Sequence, residues 1–303
     1  MPAVDLEAQI IDAIAPFRTS LRRASAGLRR DLPWLTTGDP WAILVSEVML
    51  QQTSTSRVRE PWRRFIDTYP TPRACYAAPL ADVLRLWSGL GYPRRAKALH
   101  DAAAVIVHAF DGEVPTTVAE LLGLPGVGPY TANAVASFAF GSRVAVLDTN
   151  VGRVLSRALA NRVLRPREAH RLADALLPRD GVAAFNQAML DLGAQYCTAA
   201  PRCHECPVRA TCRWRREGGE DPAPRSAGVS RPQAAYDGSD RQVRGSILRS
   251  LSGGPLDVAG LERELAPVEA PRLQALLDAL VHDGFVVLRG GFAALSGDEA
   301  ASH

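Results

Sequence analysis

Apolar residues recur at helical spacing through the first 215 residues of the chain, and Pro and Gly residues interrupt the pattern at short intervals. No stretch of this region sustains the alternation of apolar and polar residues that a half-buried strand shows. The pattern therefore predicts a mostly helical region. Its helices are predicted over Trp41–Gln52, Leu80–Trp87, Arg94–Phe110, Thr117–Leu122, Tyr130–Phe140, Asn150–Leu159, Glu168–Leu177 and Ala183–Gln195.

The remainder of the chain reads as a linker and a small module. Residues 216–240 are rich in Gly, Pro, Ser and charged side chains, a composition typical of linkers. Two apolar runs around Gly290 and Gly291 then predict a β-hairpin. Three short helices are predicted before it, over Arg241–Leu251, Val258–Leu265 and Pro271–Asp283. We therefore expect a helical domain over residues 1–215, a linker over 216–240 and a winged-helix-like module over 241–303.

Charge and hydropathy exclude several classes of protein. No apolar run approaches the roughly 18 residues that a membrane helix needs, and the N-terminus lacks the basic start of a secretory signal. We therefore expect a cytoplasmic protein with no membrane partner. The net charge is +3, of which residues 241–303 contribute −2 and residues 1–240 contribute +5. This distribution permits a polyanionic partner for the first part of the chain.

Four of the five cysteines cluster over residues 197–212. Cys203 and Cys206 form a C-x2-C pair, and five residues separate this pair from Cys197 on one side and from Cys212 on the other. In a reduced cytoplasm such a cluster indicates metal ligands rather than disulfides. Four thiolates could hold a zinc ion or an iron–sulfur cluster, and the spacing alone does not choose between them.

The segment LPGVGPYT predicts a tight turn that leads into a helix. Gly126 and Gly128 flank Val127, and Pro129 begins the next helix. Glycines at such a turn leave main-chain N–H groups uncovered at a helix N-terminus, where they can bind a phosphate. The pattern is typical of a helix-hairpin-helix motif, which grips a DNA backbone irrespective of sequence. An ordinary helix–helix turn is the alternative.

Two carboxylates have surroundings that suggest chemistry. Glu47 lies in the apolar run WAILVSEVML, and Asp148 follows the apolar run VAVL at a predicted helix start. A carboxyl group in an apolar wall has a raised pKa and can act as a general acid. The pair would suit cleavage of a glycosidic bond through an oxocarbenium-like cation. The alternatives are an ion pair between Glu47 and a buried arginine, and an N-cap role for Asp148.

Taken together, these motifs resemble the MutY family of adenine DNA glycosylases, in the helix-hairpin-helix superfamily that includes endonuclease III. The resemblance covers residues 15–215 and implies an all-α, two-lobed fold with a 4Fe–4S cluster held by the four clustered cysteines. The segments that carry it, in family order, are SEVMLQQT (46–53), GLGYPRRAKALH (89–100), LPGVG-x-x-T (124–131), LDTNVGRVL (147–155), FNQAMLDLGA (185–194) and the cysteine cluster.

The resemblance also implies the residues that act on the base and sugar. Glu47 matches the acid that protonates adenine at N7, and Asp148 matches the carboxylate that stabilises the cationic sugar. Asn150 matches a residue that positions the catalytic water and the sugar. Gln187 matches a contact to the edge of an adenine flipped out of the helix, which this chemistry requires.

Further residues are implied at the DNA surface. Gln51, Gln52 and Tyr92 match residues that fill the base stack and probe the opposite base, although core packing would also explain Tyr92. The other DNA-binding residues implied are Thr53, Gly126, Val127, Gly128 and Thr131. Tyr130 stands where bifunctional relatives carry the lysine that forms a Schiff base, and Lys97 is the only lysine of the chain. We therefore expect no lyase activity through lysine.

Three features depart from the family pattern. Leu35 lies in LPWL, where the family often has arginine, and the spacing between Cys197 and Cys203 is one residue shorter than usual. Residues 241–303 are too few for the nudix-like domain that helps many members recognise 8-oxoguanine, and they resemble the shorter actinobacterial forms. The third helix of this module sets Arg272 and His282 against two aspartates. Because this is a poor surface for a polyanion, we expect the module to contact a protein or the catalytic part rather than DNA.

The combined expectation is a monomeric, nucleoid-associated enzyme of base excision repair. It would hydrolyse the N-glycosidic bond of adenine mispaired with 8-oxoguanine or guanine in double-stranded DNA. One alternative is a glycosylase of the same fold that removes another base, such as thymine opposite guanine or a damaged purine. A second is a non-catalytic DNA-binding regulator with a redox-sensing cluster, against which the presence of both Glu47 and Asp148 argues.

Overall fold

The computed structural model describes residues 3–229 and 237–298. Residues 230–236, within the predicted linker, lie outside the described residues. The part of the chain before this gap is helical. Its helices are α1 (Ala3–Leu28), α2 (Pro40–Leu50), α3 (Thr55–Thr68), α4 (Pro72–Ala77), α5 (Leu80–Leu86), α6 (Arg94–Ala109), α7 (Val118–Leu122), α8 (Pro129–Phe140), α9 (Thr149–Val154), α10 (Pro166–Leu176), α11 (Val182–Gln195) and α12 (Arg213–Glu217).

Every helix predicted in this region is present within a few residues of its predicted bounds, which confirms the all-α prediction. The segment predicted as Asn150–Leu159 is α9 followed by a π-helical turn over Leu155–Ala160. Four helices were not predicted, namely α1, α3, α4 and α12. No helix of the described residues is long and apolar enough to cross a membrane.

The described residues form two compact units. Unit one comprises Met1–Gly38, Thr116–Val118 and Gly128–Pro232, and unit two comprises Asp39–Pro115, Ala119–Val127 and Gln233–His303. Glycine permits a close helix contact in unit one, where α11 packs against α9. A Cβ atom added at Gly193 would lie 2.6 Å from the main-chain oxygen of Asn150. The core of this unit includes Phe17, Leu21, Leu155, Leu159, Phe185 and Leu192.

Tryptophan residues anchor the first part of unit two. The indole N–H of Trp41 on α2 donates to the carbonyl oxygen of Tyr69 at 2.9 Å, and that of Trp62 on α3 donates to the carbonyl oxygen of Ala42 at the same distance. Both rings are buried. Their N–H groups are thus satisfied by main-chain oxygens inside the core, as buried indoles require.

The last part of unit two is a small module of three helices and a three-stranded sheet, which contains the predicted hairpin and a further short strand. Its helices are α13 (Asp240–Leu251), α14 (Val258–Glu264) and α15 (Ala270–His282). Its strands are β1 (Leu256–Asp257), β2 (Val286–Arg289) and β3 (Phe292–Leu295), paired antiparallel in the order β1-β3-β2. Val286 pairs with Leu295 and Arg289 with Phe292 around the two-glycine turn. We call residues 237–298 the C-terminal module.

Residues 216–229 of the predicted linker pack on unit one. The carboxylate of Asp221 accepts two hydrogen bonds from Arg157, at 2.8 and 2.6 Å. The main-chain N–H of Ala227 donates to the carbonyl oxygen of Leu164, and the carbonyl oxygen of Gly228 accepts from the hydroxyl of Thr149, both at 2.8 Å. This segment therefore covers α9 and the π-helical turn.

Candidate active site

Glu47 lies in the middle of α2, the most apolar helix of unit two. Every residue from Trp41 to Met49 is buried, and the Glu47 side chain is only 5% exposed. Asp39 begins the helix because its side chain accepts a hydrogen bond from the N–H of Trp41 at 3.0 Å. The helix thus carries a carboxyl group into an apolar layer, which is the environment that the sequence predicts.

The glutamines that follow α2 lie at a surface of unit two. Gln51 is half-buried, and its side-chain N–H donates to the carbonyl oxygen of Gly126 at 3.3 Å. Gln52 is exposed and adopts a left-handed backbone conformation, with φ of 58°. Thr53 turns inward and is buried, and its hydroxyl donates to the carbonyl oxygen of Leu90 at 3.2 Å. Thr53 therefore ties the end of α2 to the loop that carries Tyr92.

Arg95 fastens the same two segments to each other. Its guanidinium donates to four main-chain carbonyl oxygens, at 2.8 to 3.1 Å, those of Val48, Met49, Leu90 and Gly91. It also donates to the hydroxyl of Thr53 at 3.0 Å. The last carbonyl groups of a helix lack intrahelical partners, so the Arg95 side chain caps α2. Burial lowers the pKa of Arg95 to about 10. Because this pKa is still well above neutral pH, the side chain remains cationic.

Tyr92 follows a glycine in the loop over residues 89–93. Its backbone is left-handed, with φ of 50°, which is uncommon for a tyrosine. The ring is half-buried and has guanidinium groups nearby, since the carbon atoms of Arg95 and Arg241 each lie 5.5 Å from its centroid. The Tyr92 hydroxyl also accepts a hydrogen bond from Arg241 at 2.8 Å. Tyr92 is thus a surface side chain held by two cations rather than a core residue.

The turn before α8 requires glycine at its first position. Gly126 has φ of 75°, and a Cβ atom there would lie 2.7 Å from the Cβ atom of Ala98. Val127 is buried and its N–H donates to the carbonyl oxygen of Leu124 at 3.1 Å. Gly128 precedes α8, and its carbonyl oxygen accepts the first hydrogen bond of that helix, from Ala132 at 2.9 Å. In the first turn of α8, the Thr131 side chain is buried and the Tyr130 ring packs against the core of unit one.

Asp148 begins α9 in unit one. Its carboxylate accepts hydrogen bonds from the main-chain N–H of Val151 at 2.8 Å and from the side-chain N–H of Asn150 at 2.6 Å. Burial raises the pKa of Asp148, and these hydrogen bonds together with the charge of Arg153 oppose that rise. The N-cap interpretation is therefore correct, and it leaves a desolvated carboxylate whose pKa lies above the ordinary range for aspartate.

Arg153 connects this carboxylate to the cysteine segment. Its guanidinium donates to the side-chain oxygen of Asn150 at 2.6 Å and to the carbonyl oxygens of Gly193 and Cys197 at 2.9 and 2.7 Å. Asn150 in turn donates to Asp148. A continuous chain of hydrogen bonds thus runs from the main chain at the first cysteine to the Asp148 carboxylate. Sequence reasoning did not single out Arg153, although a charged residue in the run NVGRVL is an indication that was present.

Gln187 is half-buried on α11, and its side chain is hydrogen-bonded to that of Asp191, one turn further along the same helix. Its side-chain N–H donates to Asp191 at 2.9 Å, and the same carboxylate oxygen accepts from Arg30 at 2.5 Å. Asp191 is only 1% exposed, and sequence reasoning missed it.

Leu35, at the position where the family often has arginine, is half-buried, and its carbonyl oxygen accepts from Arg29 at 3.0 Å.

The four clustered cysteines line a single cavity in unit one. Burial raises the pKa of the Cys206 thiol to about 11. Arg157, whose side chain is 1% exposed, donates to the Cys197 sulfur at 3.4 Å and to the carbonyl oxygen of Thr198 at 2.7 Å. No three ligand side chains among the described residues converge as they would around one metal ion. Thiols arranged around a volume suit a cluster, in which each iron takes its own cysteine.

Comparison with known proteins first defines the class. Residues 45–179 match the HhH-GPD superfamily of base excision DNA repair proteins. A solved thermostable thymine-DNA glycosylase has a TM-score of 0.61 and 27% identity, and the match covers 70% of this chain and 98% of that one. A trapped endonuclease III–DNA covalent intermediate has a TM-score of 0.58 and 26% identity, covering 72% and 99%. The chain is therefore a DNA glycosylase with the helix-hairpin-helix fold.

The family within this class follows from a curated relative. The adenine DNA glycosylase of Mycolicibacterium smegmatis is 46% identical over 264 residues, which span 85% of this chain and 88% of the relative. The chain belongs to the adenine DNA glycosylase family. The resemblance inferred from the motifs is thereby confirmed.

Replacement of Arg95 by alanine should destabilise the protein by about 3 kcal/mol, because several buried carbonyl oxygens and the Thr53 hydroxyl lose their donor. Urea unfolding measures the change. The adjacent Arg94→Ala variant is the control, since its side chain is 73% exposed and makes one ion pair, worth less than about 1 kcal/mol. Equal losses in the two variants would show that Arg95 does not hold the loop.

Proposed function

We propose that the protein hydrolyses the N-glycosidic bond of adenine mispaired with 8-oxoguanine or guanine in double-stranded DNA, as the first step of base excision repair. The observation that carries the proposal is the pair of desolvated carboxylates, Glu47 on α2 and Asp148 before α9, in a member of this family. We further propose that it acts as a monomer in the cytoplasm, in association with the nucleoid.

Glu47 is the general acid of this mechanism. Departure of adenine leaves negative charge on the base, and protonation at N7 neutralises that charge as the bond to the sugar breaks. The side chain lies in the apolar layer along α2 and is only 5% exposed, so bulk water does not compete for its proton. A Glu47→Gln variant keeps the size of the side chain but has no acidic proton, so it should be inactive.

Asp148 supplies a negative charge that stabilises the positive charge on the sugar. Loss of the base leaves an oxocarbenium-like sugar, which a nearby carboxylate stabilises electrostatically or through a covalent bond. Hydrogen bonds from Val151 and Asn150 favour the ionised form that this role needs. Asn150 also positions the water that attacks the sugar. Arg153 is a positioning residue, since it acts on the carboxylate through Asn150.

The remaining residues bind the flipped base and the DNA. Gln187 contacts the edge of adenine, and Asp191 orients its amide by accepting one N–H. Gln51, Gln52, Thr53 and Tyr92 form the surface that meets the base stack. The turn over Gly126, Val127 and Gly128 binds a phosphate, with Thr131 in the helix that follows. The N–H of Val127 itself donates to the carbonyl oxygen of Leu124. Because Tyr130 replaces an amine, water is the nucleophile and the DNA strand is not cut by a lysine-dependent lyase step.

Single-turnover release of the base tests the proposal. The duplexes carry A opposite 8-oxoguanine, A opposite G, A opposite T, and T opposite G. Adenine should be released from the first two only, and the Asp148→Asn variant should release none. Its amide oxygen can still accept the hydrogen bond from Val151, while the charge and the acceptor for Asn150 are lost, and thermal unfolding checks that the fold is retained. Intact strands before treatment with base would support the absence of a lyase step.

Other outcomes would contradict particular parts of the proposal. Release from T opposite G alone would assign the protein to a thymine-removing activity on the same fold. Equal activity of the wild-type and Asp148→Asn proteins would remove Asp148 from the mechanism. Rapid strand cleavage in the absence of base or heat would show that another group replaces the missing lysine.

We also propose that Cys197, Cys203, Cys206 and Cys212 hold a 4Fe–4S cluster. When bound, the cluster cross-links four points of residues 197–212 and adds no acid or base to the hydrolysis. The four thiols line one cavity, and Arg157 lies against the Cys197 sulfur as a cation that offsets thiolate charge.

The Cys203→Ser variant should lose most of its iron and acid-labile sulfide, because one of the four thiolate ligands is gone. Iron and sulfide assays and the visible absorption of the purified protein measure this loss. Cys75→Ala is the control, since Cys75 is buried in unit two and lines no part of this cavity. Equal iron content in the two variants would contradict the assignment, and zinc in place of iron and sulfide would indicate a mononuclear site.

A further inference from the structure

A cleft with a volume of about 460 Å³ lies within unit two, and it involves the C-terminal module. One wall is α13 of that module. The opposite wall is the end of α5 with the loop over residues 88–93 that carries Tyr92. The side chains of Gln52 and Arg57 complete the rim. The lining residues from α13 and its end are Arg241, Gly245, Leu248, Arg249 and Ser252.

The lining of this cleft is positively charged. Among the described residues, those that line it include three arginines, namely Arg57, Arg241 and Arg249, and none with a carboxylate. This is unexpected for a module with more acidic than basic residues. The acidic side chains near the module's contact with α5 and α6 form ion pairs outside the cleft, so they do not contribute to its lining. An anionic ligand would therefore meet no opposing charge among the residues that line the cleft.

Ion pairs account for two of these acidic side chains. Asp283 accepts hydrogen bonds from Arg94 on α6 and from Arg244 on α13, and both interactions hold the pKa of its carboxyl below the ordinary range. Asp298 accepts two hydrogen bonds from Arg85 on α5, at 2.7 and 2.8 Å. The aspartates thus serve to attach the module, and neither of them lines the cleft.

The two walls are attached closely enough to form one site. Arg85 also donates to the carbonyl oxygen of Ser252, at the end of α13, at 3.0 Å. A Cβ atom at Gly297 would lie 3.0 Å from the main-chain nitrogen of Leu80, so the two backbones are in contact there. Arg241 bonds the Tyr92 hydroxyl across the cleft. The module is therefore a wall of the cleft and not a tethered appendage.

The interior of the cleft combines surfaces for a base and for a phosphate. Leu84, Leu90 and Leu248 contribute apolar area, and Tyr92 adds an aromatic ring. Arginine and aromatic side chains together are the usual means by which proteins bind an unpaired nucleotide, through stacking and charge. Gly245 lies in the interior of α13, where glycine costs about 1 kcal/mol relative to alanine. The absence of a side chain there leaves the cleft open.

We propose that this cleft binds one nucleotide of the bound DNA, with its phosphate at Arg249 and Arg57 and its base between Tyr92 and Leu248. The inference rests on the proposed function, because DNA is the ligand. It assigns the C-terminal module to DNA binding through its first helix. The expectation drawn from Arg272 and His282 concerned the third helix, which does not line the cleft.

The first test measures affinity without catalysis. The full-length Glu47→Gln protein and its Arg249→Glu derivative are titrated with a fluorescent duplex that carries A opposite 8-oxoguanine. The Arg249→Glu change should weaken binding at least about tenfold and reduce the dependence of log affinity on log salt by about one unit. Arg289→Glu is the matched control, since Arg289 is exposed on β2 of the same module and outside the cleft. Equal losses from the two changes would overturn the proposal.

The second test locates the nucleotide. 2-Aminopurine is placed in turn at each position near the mispair, in either strand, and its fluorescence is followed as the protein binds. At one position Gly245→Met should abolish the fluorescence change, because its side chain fills the cleft. Ser246→Met adds the same side chain outside the cleft lining and should leave that signal intact. Signals that are identical in the two variants at every position would overturn the proposal.

These outcomes separate the cleft from the catalytic assignment. If the wild-type protein releases no adenine but Arg249→Glu weakens binding and Arg289→Glu does not, the proposed reaction fails and the cleft stands. If adenine is released and the paired variants are indistinguishable, the reaction stands and the cleft fails. Thermal unfolding of each variant shows whether a loss of binding reflects a loss of fold.

Discussion

Buried and half-buried arginine side chains that donate to main-chain carbonyl oxygens hold the segments of the candidate site. These segments are turns and helix ends, whose carbonyl groups have no partners in regular structure. A guanidinium offers five N–H donors in one plane and can serve several such groups at once. Arg95 does so for the end of α2 and the Tyr92 loop, and Arg153 and Arg157 do so around the cysteine segment. A lysine offers a single charged nitrogen and would leave part of each set unsatisfied.

Much of the fold could be predicted because most helices show apolar periodicity in their sequence. The helices that were not predicted show why the remainder of the fold could not be. Pro16 lies inside α1 and Pro61 inside α3, and proline normally marks a helix boundary. Tertiary packing of Phe17 and Phe65 overrides that local signal, which no single stretch of sequence reveals. The packing of segment 216–229 on unit one was not predicted, for a similar reason. Its composition is that of a linker, but Asp221 and Ala227 attach it to unit one.

The candidate site was predictable where a residue is unusual in its own surroundings. Glu47 interrupts an apolar run and is buried, and Asp148 follows one and is half-buried, with a pKa that desolvation raises. Arg95, Arg153 and Asp191 were missed because their partners lie far away in the chain, as Arg30 does for Asp191 at a separation of 161 residues. For the same reason, the sequence does not show which charged residues of the C-terminal module line the cleft. The third helix sets Arg272 and His282 against two aspartates, which suggests that the module avoids DNA, whereas arginines line the cleft and Asp283 and Asp298 are held in ion pairs outside it.

In the proposed reaction Asp148 acts in its ionised form, and the pH dependence of single-turnover adenine release measures this requirement. Burial raises the pKa of Asp148, so the rate should fall as the pH decreases through that raised value and the carboxylate is protonated. Asn150 donates a hydrogen bond that opposes the rise. In the Asn150→Ala variant the acid limb should therefore move to higher pH, whatever the maximal rate. A rate that keeps increasing as the pH falls, or an acid limb that does not move in the variant, would contradict the account.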